Sequence, residues 1–501
     1  MTRTAFSLTL WISALLMIAV PVSADELPVG SKKFTESVIL GEVLRLSMTE
    51  QGLEASHREE LGGTRVLYEA LRGGELVAYP EYTGTLLREL LASEQLGSIE
   101  ELRAALAERG LRMSGPLGFN NTYGIGVPRA IAEERGLGTM SDLRAHPDLV
   151  FGVGNEFLGR ADGWPSLASA YRLAPITVTG LDHDLAYKAI ASGQIDAMDV
   201  YTTDAEIAAL DLVVLDDDLG FFPRYDAVIL YRADLETRSP AAVAAILRLA
   251  GTIDETTMQA LNGDVKLRGL SETEVALGFL QRELGLVLEG EAETRLAGRV
   301  LGRTIEHVQM VLVAVGAAVL VGVPLGVIAY RVPGTGWAVL GVVGVMQTIP
   351  ALALLALLIP LLGIGAAPAV VALFLYALLP IVRNTQSGLA ALPTSIHESC
   401  TVLNLRGSTI LLKVELPLAS PAIVAGVKTA AVISIGFATL GALIGAGGYG
   451  QPILKGIRLD DTALILEGAV PAAGLALLTQ AVLGVLERAV VPRGVRAQSR
   501  P

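Results

Sequence analysis

Cysteine occurs once in the 501 residues, at Cys400. A lone thiol excludes an intrachain disulfide and a cysteine-based zinc site. The five histidines, His57, His146, His183, His307 and His397, are scattered without metal-ligand spacing, so surface or interface roles are expected and no metal is. No Gly-x-x-x-x-Gly-Lys-Ser/Thr occurs, so the chain has no P-loop with which to cradle ATP. Basic residues are too few for nucleic acid: 38 Lys and Arg face 51 Asp and Glu, for a formal net charge of −13, and phosphate neutralisation needs clustered Lys and Arg. The carboxylates Glu36 and Glu81 lack an accompanying nucleophile or metal, so no catalytic residue and no cofactor are expected.

Apolar residues are in excess. The chain is 52% hydrophobic with a mean hydropathy of +0.53, too apolar for a purely soluble protein of this size. Residues 1–24 have the form of a secretory signal: Arg3, an apolar run from Leu8 to Val20, then Val22-Ser23-Ala24 as a small-residue cleavage site. An uncleaved anchor is the alternative, and both readings put the next domain outside the cytoplasm. Five apolar spans come later, approximately Val308–Tyr330, Trp337–Leu362, Ala367–Val382, Ala422–Ile444 and Ala463–Leu486, each near the length that crosses hydrocarbon as a helix. Pro324, Pro350, Pro360 and Pro380 interrupt the first three. By the positive-inside rule, Arg331, Arg383, Arg406, Lys413 and the arginine-rich tail are cytoplasmic. The segment Ile444-Gly445-Ala446-Gly447-Gly448-Tyr449-Gly450 fits Gly-x-Gly-x-x-Gly but follows a membrane span rather than a strand, so it is read as a tight turn at the outer face.

Between the signal and the spans, short β-runs alternate with amphipathic helices. Strands are expected at Leu76–Tyr79, Leu149–Val153, Ala197–Val200, Leu212–Leu215 and Val228–Tyr231. Helices are expected at Glu36–Thr49, Ser98–Arg109, Ser141–Ala145, Leu185–Ala191 and Pro240–Gln259, with a helical cap over Gly251–Leu288. The length suits two lobes with a cleft. Tyr82, Tyr123, Tyr201 and Tyr225 each follow a strand or sit in a turn signal, where α/β clefts collect ligand contacts. Aromatic faces hold a quaternary ammonium, which cannot donate a strong hydrogen bond, at about 0.5–2 kcal/mol per ring. Composition alone leaves a structural role for these tyrosines open, and Trp164 near Arg160 fits either cleft or core.

The polar stretch Arg383–Pro421 holds two short helical patterns split around Leu403–Gly407. Its Glu398-Ser399-Cys400, Asn404 and Val414-Glu415-Leu416-Pro417 resemble the ATPase-docking loop of binding-protein-dependent ABC permeases, which reads Glu-Ala-Ala, three residues, Gly, then Ile-x-Leu-Pro. Asn404 stands for the glycine, a mild change if that position is left-handed. Gln347-Thr348-Ile349-Pro350-Ala351-Leu352-Ala353-Leu354 and Leu379-Pro380-Ile381-Val382-Arg383-Asn384-Thr385 look like the quaternary-amine branch of these permeases. In the exported half, Lys32-Lys33-Phe34-Thr35-Glu36, Leu61-Gly62-Gly63-Thr64, Tyr79-Pro80-Glu81-Tyr82-Thr83-Gly84-Thr85, Phe119-Asn120-Asn121-Thr122-Tyr123 and Phe221-Phe222-Pro223-Arg224-Tyr225 resemble the glycine betaine/choline binding proteins of osmoprotectant importers.

The resemblance implies a two-lobed α/β periplasmic-binding-protein-like domain followed by an all-α transmembrane domain of about five helices. The expected order is signal peptide 1–24, extracytoplasmic binding domain 25–288, linker 289–306, permease domain 307–489 with docking loop 383–421, and cytoplasmic tail 490–501. It implies a tyrosine box of Tyr82, Tyr123, Tyr201 and Tyr225. Lys32, Thr85 and Arg160 would clamp the ligand carboxylate, and Asn121 would face the cation. Glu398, Ser399, Asn404, Gly407, Lys413 and Pro417 would meet the ATPase. The chain departs from the family at Ser37 and at Gly159-Arg160-Ala161-Asp162-Gly163, where members often carry Gln and Asp-Arg-Glu-Asp-Gly, which leaves choline, carnitine and ergothioneine open beside glycine betaine.

The expected function is the solute-binding and translocating subunit of an ABC importer in the cell (inner) membrane, multi-pass, a homodimer partnered by a cytoplasmic ABC ATPase. Closing a cleft over Lys32 and Arg160 without an anion would leave charge unpaired, so a carboxylated ligand is expected. The rival classes are a membrane-bound sensor, which calls for a cytoplasmic signalling domain that the short tail after Glu487 does not supply, and an exported enzyme, which calls for a catalytic constellation.

Overall fold

The computed structural model describes residues 26–173, 176–286 and 296–490. The signal segment 1–24 and the tail beyond 490 lie outside the described residues, as does the linker as far as 295. The remainder of that linker is not a loop: helix begins at Leu296. The chain divides into two compact units at Ala292–Glu293.

The first unit has two five-stranded sheets of matching topology. The strands are β1 (Leu27–Gly30), β2 (Ala55–Arg58), β3 (Ala78–Tyr82), β4 (Leu111–Met113), β5 (Tyr123–Pro128), β6 (Val150–Gly154), β7 (Thr177–Leu181), β8 (Ala197–Tyr201), β9 (Leu212–Leu215) and β10 (Ala227–Arg232). The sheet orders are β2-β1-β3-β10-β4 and β7-β6-β8-β5-β9. In each, three parallel strands meet an antiparallel strand that pairs with a further one. The chain therefore passes between lobes twice, after β4 and before β10. The two crossings touch, through an antiparallel bridge between Asn120 and Asp226.

Buried central strands read as nearly continuous apolar runs; β10 is Ala-Val-Ile-Leu-Tyr-Arg, with five of its six residues buried. Pro80 is tolerated in β3 because β1 pairs with that strand only at Ala78, so its missing N–H interrupts no ladder beyond that point. The expected helix Pro240–Gln259 is two, Pro240–Leu247 and Glu255–Lys266, the second capped by Asp254, whose side chain accepts from the Thr257 N–H.

Helix α1 (Thr35–Glu50) lies against the first sheet. At Gly41 it passes so close that a Cβ would stand 2.4 Å from His57 Nε2. The helical cap comprises α2 (Glu255–Lys266) and α3 (Glu272–Leu284). Glu42 ties these parts together, accepting from Arg45 Nη2 at 2.7 Å and Thr273 Oγ1 at 3.0 Å, with His57 Nδ1 at 3.1 Å. His57 is thus a buried structural residue, not a surface one.

The second unit is helical: α4 (Leu296–Arg331), α5 (Gly336–Thr348), α6 (Ala351–Leu362), α7 (Ala366–Ala390), α8 (Thr394–Val402), α9 (Leu416–Ala438) and α10 (Thr462–Val490) are its main elements. Among the described residues, four helices are long and apolar enough to cross a membrane, with α9 counted in the run Gly407–Ile444. The expected second span is instead the bent pair α5 and α6, which turn by 94° at Ile349–Pro350. Proline lacks an N–H and pushes its predecessor out of helical geometry. The Ile349 carbonyl this releases accepts the Tyr376 hydroxyl, as a low-dielectric surrounding requires. Pro324, Pro360 and Pro380 stay inside continuous helices. Small residues let the helices approach: a Cβ on Gly326 would meet the Val382 carbonyl at 2.8 Å, and one on Gly426 the Pro380 carbonyl at 2.7 Å. His307 is buried here, against the Ile435 carbonyl.

The polar stretch expected from Arg383 to Pro421 is mostly helix: α7 runs on to Ala390 and α9 starts at Leu416. Between them, α8 ends at Val402 and is closed off by Asn404, whose φ of +50° is left-handed. The Leu405 N–H reaches back to the Cys400 carbonyl at 3.2 Å and the Asn404 N–H to Thr401 at 2.9 Å, a Schellman closure. Gly445, Gly447 and Gly448 all have positive φ, giving a tight turn clamped by Glu306, which accepts from the Gly448 N–H at 2.8 Å.

Burial opposes ionisation of Glu42, yet its bonds to His57 and Arg45 outweigh that and hold its carboxyl well below the ordinary 4.5. A depressed folded-state pKa gives stability that is present above the unfolded value and lost as pH falls toward the folded one. Amide-exchange protection of α1 in the full chain should therefore weaken on going from about pH 7 to about pH 3. Glu42→Gln should remove about 3 kcal/mol at neutral pH, the order for a broken buried pair, and flatten that acid dependence.

Candidate ligand-binding site

One cavity lies at the strand ends of the first unit, with about 330 Å³ of empty space, its mouth included. Tyr82 closes β3 and Tyr201 closes β8, equivalent positions in the two sheets. Tyr123 opens β5 directly opposite Tyr201, and Tyr225 precedes β10 near Tyr82. The carboxyl ends of the parallel strands and the amino ends of the antiparallel ones thus share an edge, and the rings meet there. Ring centroids are 5.1 Å apart for Tyr123–Tyr201 and 5.6 Å, edge to face, for Tyr123–Tyr225. Lys32, Thr85, Arg160 and Asn121 line the same cavity, so all eight residues expected from the sequence come together.

Phe34, Thr64 and Glu156 also line it and were not anticipated. Phe34 is a fifth ring, 5.4 Å from Tyr201 and 6.2 Å from Tyr82. Its signal was its place inside the Lys32-to-Glu36 motif. Trp164 faces the core, 4.9 Å from the Phe151 ring.

Burial raises the four tyrosines well above their ordinary pKa of 10.0, so all stay phenols. Two of the four hydroxyls have fixed carboxylate partners. Tyr82 donates to Glu36, and Tyr225 donates to Asp162 at 2.6 Å. A box of neutral phenols, with the Tyr82 and Tyr225 hydroxyls engaged, offers ring faces, the surface that attracts a cation lacking hydrogen-bond donors.

The two cations are not unpaired. Lys32 is bonded to the fully buried Glu81. Arg160 makes a fork with Asp162, Nε to Oδ1 at 2.7 Å and Nη2 to Oδ2 at 2.8 Å. The expectation that a ligand carboxylate must neutralise them therefore loses its electrostatic ground: the protein supplies both counter-charges. What remains for an anion is spare donor capacity, since Lys32 has three ammonium hydrogens and Arg160 has Nη1 beyond its fork. Asp162 and Glu81 lie within quoted motifs, two and one residues from site positions.

Behind Tyr201, the His183 ring lies tilted with its centroid 4.4 Å away, between Asp204 at 3.0 Å and Asp199 at 3.7 Å. Burial works against its protonation, but the two carboxylates prevail and raise its pKa well above the ordinary value. It too is structural rather than superficial. Among the described residues no group of three or more His, Cys, Asp or Glu could hold a metal.

Residues 25–282 match the family model described as the substrate binding domain of ABC-type glycine betaine transport system. The chain belongs to this family. Residues 319–495 match the binding-protein-dependent transport system inner membrane component, so the family's binding domain is here joined to a permease. Among relatives, a choline transport system permease protein of Bacillus subtilis is 43% identical over 40% of this chain and 92% of its own length. An osmoprotectant import permease of Salmonella typhimurium is 40% identical over 40% of this chain and 95% of its own. A Helicobacter pylori protein described as an ergothioneine transport permease and ergothioneine binding protein is 36% identical over 57% of this chain and 53% of its own. A solved structure described as a glycine betaine/carnitine/choline ABC transporter is 27% identical, with a TM-score of 0.44 over 52% of this chain and all of that one. The protein is a multi-pass membrane transport component with an extracytoplasmic binding domain, and its permease domain implies a small solute and an ATPase partner.

Gly84 is required by the site. A Cβ there would stand 2.5–2.8 Å from three ring atoms of Tyr225, and that ring is pinned by Asp162 and, through its backbone N–H, by Asn120 Oδ1 at 2.7 Å. Gly84→Ala should cost about 1–3 kcal/mol by overpacking and displace Tyr225. Gly97→Ala, which meets only one side-chain oxygen at 3.7 Å, should do neither. Thermal unfolding and tyrosine ring resonances of the two variants decide this.

Proposed function

We propose that this chain is the solute-binding and membrane-translocating subunit of an ABC importer for glycine betaine or a related quaternary-ammonium compound, with ATP hydrolysis in a separate cytoplasmic chain. The observation that carries the reading is the convergence of Tyr82, Tyr123, Tyr201 and Tyr225 on one cavity as neutral phenols. The family match and the relatives for choline, osmoprotectants and ergothioneine support the ligand class. Thr85 and the spare donors of Lys32 and Arg160 suit a carboxylate, and Asn121 contributes at the cation end. Choline and other ligands stay in view on a specific observation, the internal pairing of both cations.

The permease has one docking loop and the motor works as a pair, so two copies of this chain are proposed per transporter. Each tethered binding domain then has a high local concentration over the pore. In the loop, Glu398, Ser399, Asn404, Gly407 and Lys413 are exposed, and Pro417 lies at the start of α9. Val402 and Leu403 stand out at 85% and 69% exposure, with Leu412 at 64%, an apolar surface suited to a protein partner. Arg331 braces the loop from α4, bonding Glu415 at 2.6 Å and the Gly407 carbonyl at 3.3 Å.

Replacing each box tyrosine by Leu keeps apolar bulk but removes the ring quadrupole. Each should weaken glycine betaine or choline binding by about 0.5–2 kcal/mol or more, read by calorimetry on the full chain in nanodiscs. Four variants that bind as tightly as the parent refute the box.

A bulky β-branched residue at Asn404 cannot hold the left-handed closure without strain. Asn404→Val, or charge reversal at Glu398, should uncouple ATP hydrolysis from uptake in vesicles containing the ATPase while leaving solute binding intact. Normal transport by both variants excludes docking at this loop.

A further inference from the structure

Among the described residues, no ion pair is formed by Glu36, a buried carboxylate at the wall of the site. Its side chain receives the Tyr82 hydroxyl and Asn121 Nδ2 (2.8 Å) on one oxygen, and the Thr203 hydroxyl and Asn262 Nδ2 (3.2 Å) on the other. All four donors are neutral and all four residues are buried. The other buried charges of the cavity lining and their direct side-chain partners cancel in pairs, Lys32 with Glu81 and Arg160 with Asp162, while behind Tyr201 the cation His183 lies between Asp199 and Asp204. Glu156, which also lines the cavity, is exposed. Among the lining residues and their direct side-chain partners, two cations against four carboxylates leave an excess of two negative charges, and the buried one is Glu36; Asp199 and Asp204 against His183 add one more behind Tyr201.

We infer that Glu36 is the fixed counter-charge for the ligand's quaternary ammonium, acting through the wall of the tyrosine box rather than by contact. This inference rests on the quaternary-ammonium reading of the site and adds to it a source of charge selectivity. The geometry supplies two routes. Tyr82 and Asn121 both line the cavity and both bond the same Glu36 oxygen, so the carboxylate stands one side chain behind the ligand space. A hydroxyl donating to an anion also leaves its ring more electron-rich, which strengthens the attraction of the Tyr82 face for a cation. A buried anion without a counter-charge is costly, and burial does push the Glu36 carboxyl up, against its four hydrogen bonds. A cation arriving in the cavity relieves that cost and favours the ionised form.

The test compares ligands that carry a trimethylammonium group with isosteres in which carbon replaces that nitrogen and removes its positive charge: the zwitterion glycine betaine against the anion tert-butylacetate, and the cation choline against its neutral tert-butyl alcohol analogue. Ligand affinities are measured for the full chain in nanodiscs and for Glu36→Gln. Gln keeps the shape, can still accept from Tyr82 and Asn121, and can donate to the Thr203 hydroxyl. The parent should prefer each trimethylammonium ligand over its isostere. The variant should lose about tenfold or more in affinity for both trimethylammonium ligands, the order expected for a unit charge acting at an effective dielectric of about 20, while the isosteres are largely unaffected. A merely structural role predicts equal losses for ligand and isostere, and that result, or no loss at all, overturns the inference. Should Glu36→Gln fail to fold, Asn262→Lys brings an ammonium beside the second Glu36 oxygen and is read in the same way. A parent that binds neither glycine betaine nor choline overturns the quaternary-ammonium reading itself, and the inference with it.

Discussion

The binding unit is organised around a carboxylate that has been taken out of water. Desolvating Glu36 is tolerable only because Tyr82, Asn121, Thr203 and Asn262 deliver four hydrogen bonds to it. Those residues lie 46, 85, 167 and 226 positions along the chain. They belong to the end of one sheet, the first crossing between lobes, the end of the second sheet and the helical cap. An unsatisfied buried anion is among the most expensive defects a fold can carry, so the four donors must arrive together. The condition that satisfies Glu36 is also the one that assembles the cavity, since Tyr82 and Asn121 form part of its wall.

The same economy of position governs the rest of the box. The two sheets repeat one topology, so the carboxyl end of a third strand and the amino end of its antiparallel neighbour recur on the same edge. Each lobe supplies a tyrosine from its third strand, and the crossings bring Tyr123 and Tyr225 to meet them. Asp162 then performs two tasks: it orients Arg160 through a fork and holds the Tyr225 ring through its hydroxyl. The glycine at position 84 gives that ring its space.

Much of this was legible in the sequence where a local signal carried it. The buried strands β3, β6, β8, β9 and β10 showed as apolar runs, and the box tyrosines stood at their ends or in turns. Of the five strands that went unseen, β2, β5 and β7 have physical reasons. Edge strands β2 and β7 are partly exposed and read as polar. In β5, Gly124 and Gly126 suggest a turn, yet each is there because a Cβ would lie 2.6–2.7 Å from a valine methyl of a neighbouring strand. The Pro350 break was visible as a proline but not distinguishable from Pro324, Pro360 and Pro380, which sit in unbroken helices; the difference depends on Tyr376, 27 residues on, to receive the freed carbonyl. The counter-charges Glu81 and Asp162, and the role of Glu36, lay inside recognisable motifs but depend on distant partners, which spacing alone does not reveal. Asn404 is the converse case: from the sequence its tolerance is conditional on a left-handed position, and its φ is +50°.

The internal pairing of Lys32 with Glu81 and Arg160 with Asp162 bears on how the site responds to ionic strength. Dissolved salt weakens attraction between charges that face water and reaches buried pairs far less. A site that held its solute by exposed lysines and arginines would loosen as salt accumulates outside the cell. Here the ionic bonds are already closed within the protein, and the solute's positive end is met by ring faces that present no ion for salt to displace. Capture at this cavity should be nearly as firm in concentrated brine as in dilute medium.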